Sequence, residues 1–255
     1  MPWDPVQYLA FGSERSRPAL DLLSRVPLEA PSRVVDLGCG AGNVTRLLGE
    51  RWPAASILGV DASPEMLAAA ARACAGASWR SADLARWEPE VPVDLIFSNA
   101  ALHWADDHGR LLPRLLRFLA PGGCLAVQMP RNHDRPSHLA VFTVIDGNPD
   151  WSRQLGPRLR RNPVLGLEAY EALLAPMAKR VEAWETDYLH LLEGEDAVLA
   201  WILGSFLTPL LEALVTADRE PFLRACRAAL RAAYPPDARG RTPFRFRRLF
   251  LVAQK

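Results

Sequence analysis

Between Arg33 and Met129 the chain alternates short runs of β-branched and aliphatic residues with longer Ala- and Leu-rich stretches of helical period. That alternation admits little besides βα units laid into a parallel sheet. Strands are predicted over Arg33 to Leu37, Ser56 to Val60, Ala77 to Ser81, Val93 to Ser98 and Leu125 to Met129. Helices are predicted between them: Asn43 to Arg51, Pro64 to Ala73 behind Ser63 as N-cap, and Gly109 to Leu119 ahead of Pro121-Gly122-Gly123. After Pro130 prolines recur at 136, 149, 157, 163 and 176, which predicts an irregular segment covering the site until order resumes near Val181. Glu195 to Tyr234 reads as mostly helical, and Phe244 to Val252 as a last strand returning to the sheet.

With 255 residues, 49% of them hydrophobic, the chain can bury a large interior. Thirty Lys and Arg against 29 Asp and Glu give a net charge of +1, so no phosphate footprint advertises nucleic acid or an anionic membrane as partner. The most membrane-like stretch, Val198 to Val215, is interrupted by Gly204, Ser205, Thr208, Pro209 and Glu212, and reads as buried helix. Cys39, Cys74, Cys124 and Cys226 form no CxxC pair and read as reduced thiols. The Met1-Pro2-Trp3-Asp4 start lacks a basic and an apolar leader region, so a cytoplasmic protein is expected. His133, His138 and His190 lack paired metal-ligand spacing, and no metal is expected.

The chemistry concentrates at the strand ends. Asp36 precedes Gly38-Cys39-Gly40-Ala41-Gly42, a loop that brings backbone close to a ligand and opens a helix. The dinucleotide spacing would require Gly at position 43, where the chain has Asn, which argues against a nicotinamide oxidoreductase. Asp61, with Ala62, ends the second strand where a carboxylate can accept from ribose hydroxyls. Asp83, beside Leu84, follows the third and suits an adenine amino group next to an apolar wall. Any one of these acids alone reads equally well as a turn or helix cap; together they mark the carboxyl edge of one sheet, where open α/β folds bind ligands. Met66 faces either the adenine or the core.

Three acids and the GxGxG loop resemble the class I S-adenosylmethionine-dependent methyltransferases. More selective stretches are similar to the trans-aconitate 2-methyltransferase family. They are Trp3-Asp4-Pro5 with Tyr8, Glu14-Arg15-Ser16-Arg17-Pro18-Ala19, Ser98-Asn99-Ala100-Ala101-Leu102-His103-Trp104 with Asp107-His108, Gln128-Met129-Pro130-Arg131-Asn132, Pro136-Ser137-His138, Trp184-Glu185-Thr186-Asp187-Tyr188, Trp201, Ala233-Tyr234-Pro235-Pro236 and Arg248-Leu249-Phe250.

The resemblance implies a Rossmann-like, doubly wound α/β sheet of seven strands with a mostly helical cover over the acceptor site. It divides the chain into an N-terminal arm and helix (1–30), a cofactor-binding core (31–130), a substrate cover (131–240) and a final core strand (241–255). It implies methyl transfer from S-adenosylmethionine to a carboxylate of a small polycarboxylic acid, giving a monomethyl ester and S-adenosylhomocysteine. Cofactor contacts are then expected from Asp36, Gly38, Cys39, Gly40, Asp61, Ala62, Met66, Asp83, Leu84, Ser98, Asn99 and Arg15. His103 and Trp104 are expected to line the pocket where the methyl emerges, and Tyr8, Arg131, Asn132 and Arg248 to hold the acceptor, since Arg forks onto carboxylates.

Two departures leave the acceptor open. The family pattern has Gln where this chain has His103, and Arg within the stretch that reads Gly204-Ser205-Phe206-Leu207-Thr208-Pro209 here. The alternatives are therefore another small acceptor methylated at oxygen or nitrogen with His103 as base, or a protein that binds or rearranges the cofactor without a second substrate. Nucleic-acid methylation is disfavoured because the fourth strand ends in Ser98-Asn99-Ala100-Ala101 and not in Pro-Pro-aromatic. Oligomeric state is not legible.

Overall fold

The computed structural model describes residues 12–255, with side chains from Ser16 onward; Tyr8 and the Trp3-Asp4-Pro5 stretch lie outside the described residues. Seven strands form one sheet in the order β3-β2-β1-β4-β5-β7-β6. They are β1 (Arg33–Leu37), β2 (Ser56–Asp61), β3 (Ser78–Ser81), β4 (Val93–Asn99), β5 (Leu119–Pro130), β6 (Arg180–Leu192) and β7 (Thr242–Gln254). The first five pair in parallel and β7 runs antiparallel to β5. The central parallel strands are mostly apolar because helices cover both faces of such a sheet; β1 is buried from Val34 to Leu37.

The helices of the first half are α1 (Gly12–Ser24), α2 (Asn43–Arg51), α3 (Pro64–Ala73) and α4 (His108–Arg117). Ser63 caps α3, its hydroxyl accepting from the Met66 amide at 3.2 Å with Pro64 in the first turn. The α4 helix stops at Arg117, two residues short of the expected Leu119. Pro121-Gly122-Gly123 falls inside β5, where the register with β4 shifts between Val93 and Leu95. Lys255 and the Gly122–Gly123 backbone exchange hydrogen bonds there, so the chain end and not a helix stop fixes this turn.

The stretch after Pro130 is more ordered than its prolines suggest. Pro136 and Pro149 occupy first-turn positions of α5 (Pro136–Asp146) and α6 (Pro149–Leu155), where a missing N–H costs nothing. Asn148 caps α6 by accepting from the Asp150 and Trp151 amides. A further helix, α7 (Leu167–Leu174), precedes β6. That strand was legible only as a return of order near Val181, because its side chains are half-buried without alternation up to Thr186. After it come α8 (Ala197–Ile202), a π-helical turn (Leu203–Leu207), α9 (Thr208–Ala213) and α10 (Thr216–Ala233).

Contacts divide the described chain into two compact units. One comprises Gly12–Pro130, Pro163–Thr186 and Arg248–Lys255, and its core gathers Leu37, Ile96, Leu112, Val127, Tyr170 and Leu251. The other comprises Arg131–Asn162 and Asp187–Arg247, with a core around Val141, Trp201, Phe222 and Phe244. No described helix is long and apolar enough to cross a membrane.

Candidate active site

The glycine loop is built by hydrogen bonds to β2. The Gly38 and Cys39 amides donate to the Val60 carbonyl, and the Gly40 amide donates to Asp61 Oδ2 at 2.9 Å. Asp61 Oδ1 accepts from the Ser63 amide at 2.9 Å, so one carboxylate ties the loop to the start of α3. Each carboxylate oxygen keeps a second lone pair for a ligand hydroxyl. Gly38 has φ +82° and lies so near the chain after β4 that a Cβ would sit 2.1 Å from Ala101 Cβ. Gly40 has φ +53°, yet a Cβ there meets nothing within 4 Å: the loop faces open space, a cradle that a side chain would fill. Cys39 is buried, and its thiol is pushed up by desolvation and by the nearby Asp36 and Asp61 carboxyls, so it packs without reacting.

Asp36 is 1% exposed and accepts from Thr45 Oγ1 at 2.6 Å. Burial pushes its carboxyl up to about 7; the Thr45 hydroxyl opposes this and the Asp61 charge reinforces it. Asp83 is exposed just past β3 and accepts from the Ala85 amide at 2.8 Å, with Leu84 half-buried beside it. Ala62 is exposed and Met66 half-buried at the start of α3. Sequence reasoning missed Trp79. In register with Gly59, it lays its ring over the space a Cβ would need there, with ring carbons 2.4 and 2.5 Å from that position. A strand glycine opposite an aromatic was the available signal.

At the end of β4 the polar side chains split. Ser98 is buried and spends its hydroxyl on the Leu37 carbonyl at 2.7 Å, stitching β4 to β1. Asn99 is half-buried, and its side-chain oxygen has no hydrogen-bond partner. Ala100 then adopts φ +54°, a left-handed conformation that costs a non-glycine residue energy and is typical of functional turns. A 3₁₀ turn over Leu102–Trp104 follows, with the His103 and Trp104 rings 4.8 Å apart. Trp104 is 43% exposed, too open for a core side chain.

This turn is held from below by His108, which the sequence marks only through the family resemblance, and by Tyr170, which does not stand out in the sequence. His108 Nε2 lies 2.8 Å from the Leu102 carbonyl and Nδ1 lies 2.6 Å from the Tyr170 hydroxyl. A carbonyl can only accept, so Nε2 carries a proton, while Nδ1 pairs with the Tyr170 hydroxyl, whose oxygen accepts from the Leu165 amide at 3.1 Å. Tyr170→Phe leaves buried partners unsatisfied and is expected to cost about 1–3 kcal/mol of stability, measured by denaturant unfolding.

The residues expected at the acceptor fall in different places. Arg248 is buried on β7 with Nη1 3.5 Å from Gln128 Oε1. Arg131 is half-buried, in the other unit. Asn132 is 1% exposed and its amide exchanges two 2.9 Å hydrogen bonds with the Arg247 backbone, extending the β5–β7 ladder. Arg15 belongs to α1, and its side chain is outside the description. Thr208, at the departure from the family pattern, turns its hydroxyl onto the Leu203 carbonyl at 2.6 Å within the π-helical turn. His133 and His138 are packed with ring centroids 5.1 Å apart, and burial pushes both down, to about 4 and about 3. Among the described residues no three His, Cys, Asp or Glu side chains are grouped to hold a metal.

A family model described as a methyltransferase domain matches residues 34–123, the stretch from β1 into β5. The chain is 48% identical to trans-aconitate 2-methyltransferase of Azoarcus sp., over 98% of each chain. It is 49% identical to that of Methylobacterium nodulans, over 99% of this chain and 98% of the relative. Among solved structures, Haemonchus contortus phosphoethanolamine N-methyltransferase 2 in complex with S-adenosyl-L-methionine matches with a TM-score of 0.57 at 17% identity, over 98% of this chain and 56% of that one, a likeness of fold. Near-half identity over practically the full length of both chains extends well past the glycine loop that a vast superfamily shares, and the chain belongs to the trans-aconitate 2-methyltransferase family.

Proposed function

We propose that this protein transfers a methyl group from S-adenosylmethionine to a carboxylate of trans-aconitate, giving the monomethyl ester and S-adenosylhomocysteine. The observation that carries this reading is the full-length identity to relatives of that name. The open cradle at Gly40, tied to Asp61, fits the cofactor. When bound, S-adenosylmethionine supplies an electrophilic methyl on a cationic sulfur. Asp61 would hold the ribose hydroxyls with its remaining lone pairs, Asp83 and Leu84 the adenine, and the Gly38–Gly40 backbone the chain between them. Asp36 would act through charge and through Thr45, since its own carboxyl is buried. Arg15 on α1 remains the cation proposed for the methionine carboxylate.

An acceptor carboxylate with an ordinary pKa near 4 is ionised at neutral pH, so no residue has to take a proton. The work left to the chain is alignment and exclusion of water, which can supply about 7–11 kcal/mol. His103 and Trp104 would shape that space, with aromatic faces toward the sulfonium. Arg248 would hold an acceptor carboxylate; Arg131 and Tyr8, the latter outside the described residues, are substrate-binding residues by resemblance to the family alone. The four free thiols, three of them buried, fit a reducing compartment and hence the cytoplasm.

The test is mass-spectrometric detection of a 14 Da increment on trans-aconitate, cis-aconitate and citrate, with a control lacking acceptor. Ester from trans-aconitate is the expected result, and His103→Gln should leave its rate within about threefold because no base is needed. A loss of kcat of about 100-fold or more in that variant, with cofactor still bound, points to a hydroxyl or amine acceptor with His103 as base. Cofactor consumed in the control points to rearrangement of the cofactor itself.

A further inference from the structure

Strand registers place five polar side chains on one face of the sheet at its carboxyl edge. Asp36 pairs with Gly59, which puts Asp61, two residues on, on the same side. Asp36 also pairs with Phe97, so Asn99 shares that side; Asn99 pairs with Gln128, and Gln128 with Phe250, two residues from Arg248. In sheet order the row runs Asp61, Asp36, Asn99, Gln128, Arg248: two acids, two amides, one cation. The opposite parity, with Leu37, Ile96, Val127 and Leu251, belongs to the apolar core. The polar face is packed by α1 against β5 and by Trp184, whose ring stacks on Phe250 at 4.9 Å and 4°.

Gln128 is the anomalous member. It is fully buried, and its side-chain nitrogen has no partner. Its orientation is fixed chemically: a guanidinium only donates, so the amide oxygen must face Arg248 and the NH2 must face away. The Asn99 oxygen at the paired register position is also without a partner, so the two amides do not satisfy each other. A buried amide donor left unpaired destabilises a fold, and one beside a buried guanidinium forms half of a carboxylate site.

We propose that Gln128 is a specificity-determining residue that donates its side-chain N–H to an acceptor carboxylate, with Arg248 supplying the charge. The inference rests on the carboxyl-methylation reading. The charge order along the row agrees with it: a cationic cofactor at the acidic end and an anionic acceptor toward the basic end, with Gln128 two strands, about 10 Å across the sheet, and two residues further along from Asp36.

Gln128→Met and Gln128→Glu, assayed in the full-length protein with trans-aconitate, decide the matter. Gln128→Met removes one charge-assisted hydrogen bond at nearly constant volume. It is expected to raise KM for trans-aconitate about 10- to 100-fold, with kcat and S-adenosylhomocysteine affinity within about threefold. Gln128→Glu faces the acceptor with a like charge and is expected to raise KM further. If Gln128 merely steadies Arg248, Glu should serve better than Met, and that order overturns the proposal. An unchanged KM in Gln128→Met, or a parallel loss of cofactor affinity, overturns it equally, and this variant decides alone if the glutamate does not fold. Failure of the wild-type protein to esterify trans-aconitate is a separate result that overturns the carboxyl-methylation reading itself and this inference with it.

Discussion

Gly40→Ala is expected to yield a folded protein that has lost its cofactor, whereas Gly38→Ala, two residues earlier, is expected to damage the fold first. At Gly40 the new methyl enters open space, so the protein bears only the left-handed backbone cost of about 1–2 kcal/mol. The same methyl stands in the cradle. Affinity for S-adenosylhomocysteine should fall by about 100-fold or more, equivalent to about 2.7 kcal/mol, read by calorimetry. At Gly38 the methyl would lie 2.1 Å from Ala101 Cβ, a separation carbon atoms do not tolerate, so the loop must leave the end of β4. Backbone strain and overpacking then add to several kcal/mol, and Tm should drop by about 10 °C in a chain of this size. Equal stability losses in the two variants, or unimpaired binding by Gly40→Ala, would remove Gly40 from the cofactor cradle.

Asp36→Asn is expected to stabilise the cofactor-free protein at pH 8 and to change it little at pH 4. The Asp36 carboxyl is raised to about 7 in the folded protein and returns to an ordinary value near 3.9 on unfolding. Between those values the native state holds a proton that the unfolded chain has released, so stability falls as pH rises from about 4 to about 7 and levels off above that. The span corresponds to as much as about 4 kcal/mol, the cost of a buried charge, which asparagine never carries. His133 and His138 act in the opposite sense. Both are depressed by burial, so their contribution is present above about pH 6.5 and is lost as pH falls toward about 4 for His133 and about 3 for His138. Subtracting unfolding free energies of the variant from those of wild type at each pH cancels the histidines and isolates Asp36. A flat difference from pH 4 to 8 would mean that the carboxyl is not held neutral. The expected penalty falls at the carboxyl edge of the sheet, and functional sites are where strain and buried charge tend to collect.

The parallel half of the sheet was legible because its signals are local. Apolar runs of strand length, Ser63 with Pro64 at a helix start, and the acid-then-glycine sequence at Asp36–Gly42 each act within a few residues of themselves. The expectation of an irregular segment after Pro130 failed for a related reason. A proline ends a helix when it falls inside one and starts a helix when it falls in the first turn, and only the neighbouring chain decides between the two at Pro136 and Pro149. Asn132 stands out in the sequence only through the family motif that contains it. Pairing with Arg247, far along the chain, engages both ends of its side chain and fixes its orientation.

By itself, then, the sequence determined the class of fold, the family and the edge of the sheet where the glycine loop and the acids gather, since periodicity, turn chemistry and motif spacing are properties of short segments. The tertiary structure alone decided which polar atoms are spent and which remain to bind. Ser98 is consumed by Leu37 and Thr208 by Leu203, His108 and Tyr170 brace the turn that carries His103, and Gln128 is left with an unpaired donor beside Arg248. A hydrogen bond is made within about 3 Å, and residues far apart in the chain come within that distance only when strands are laid side by side and their register is set.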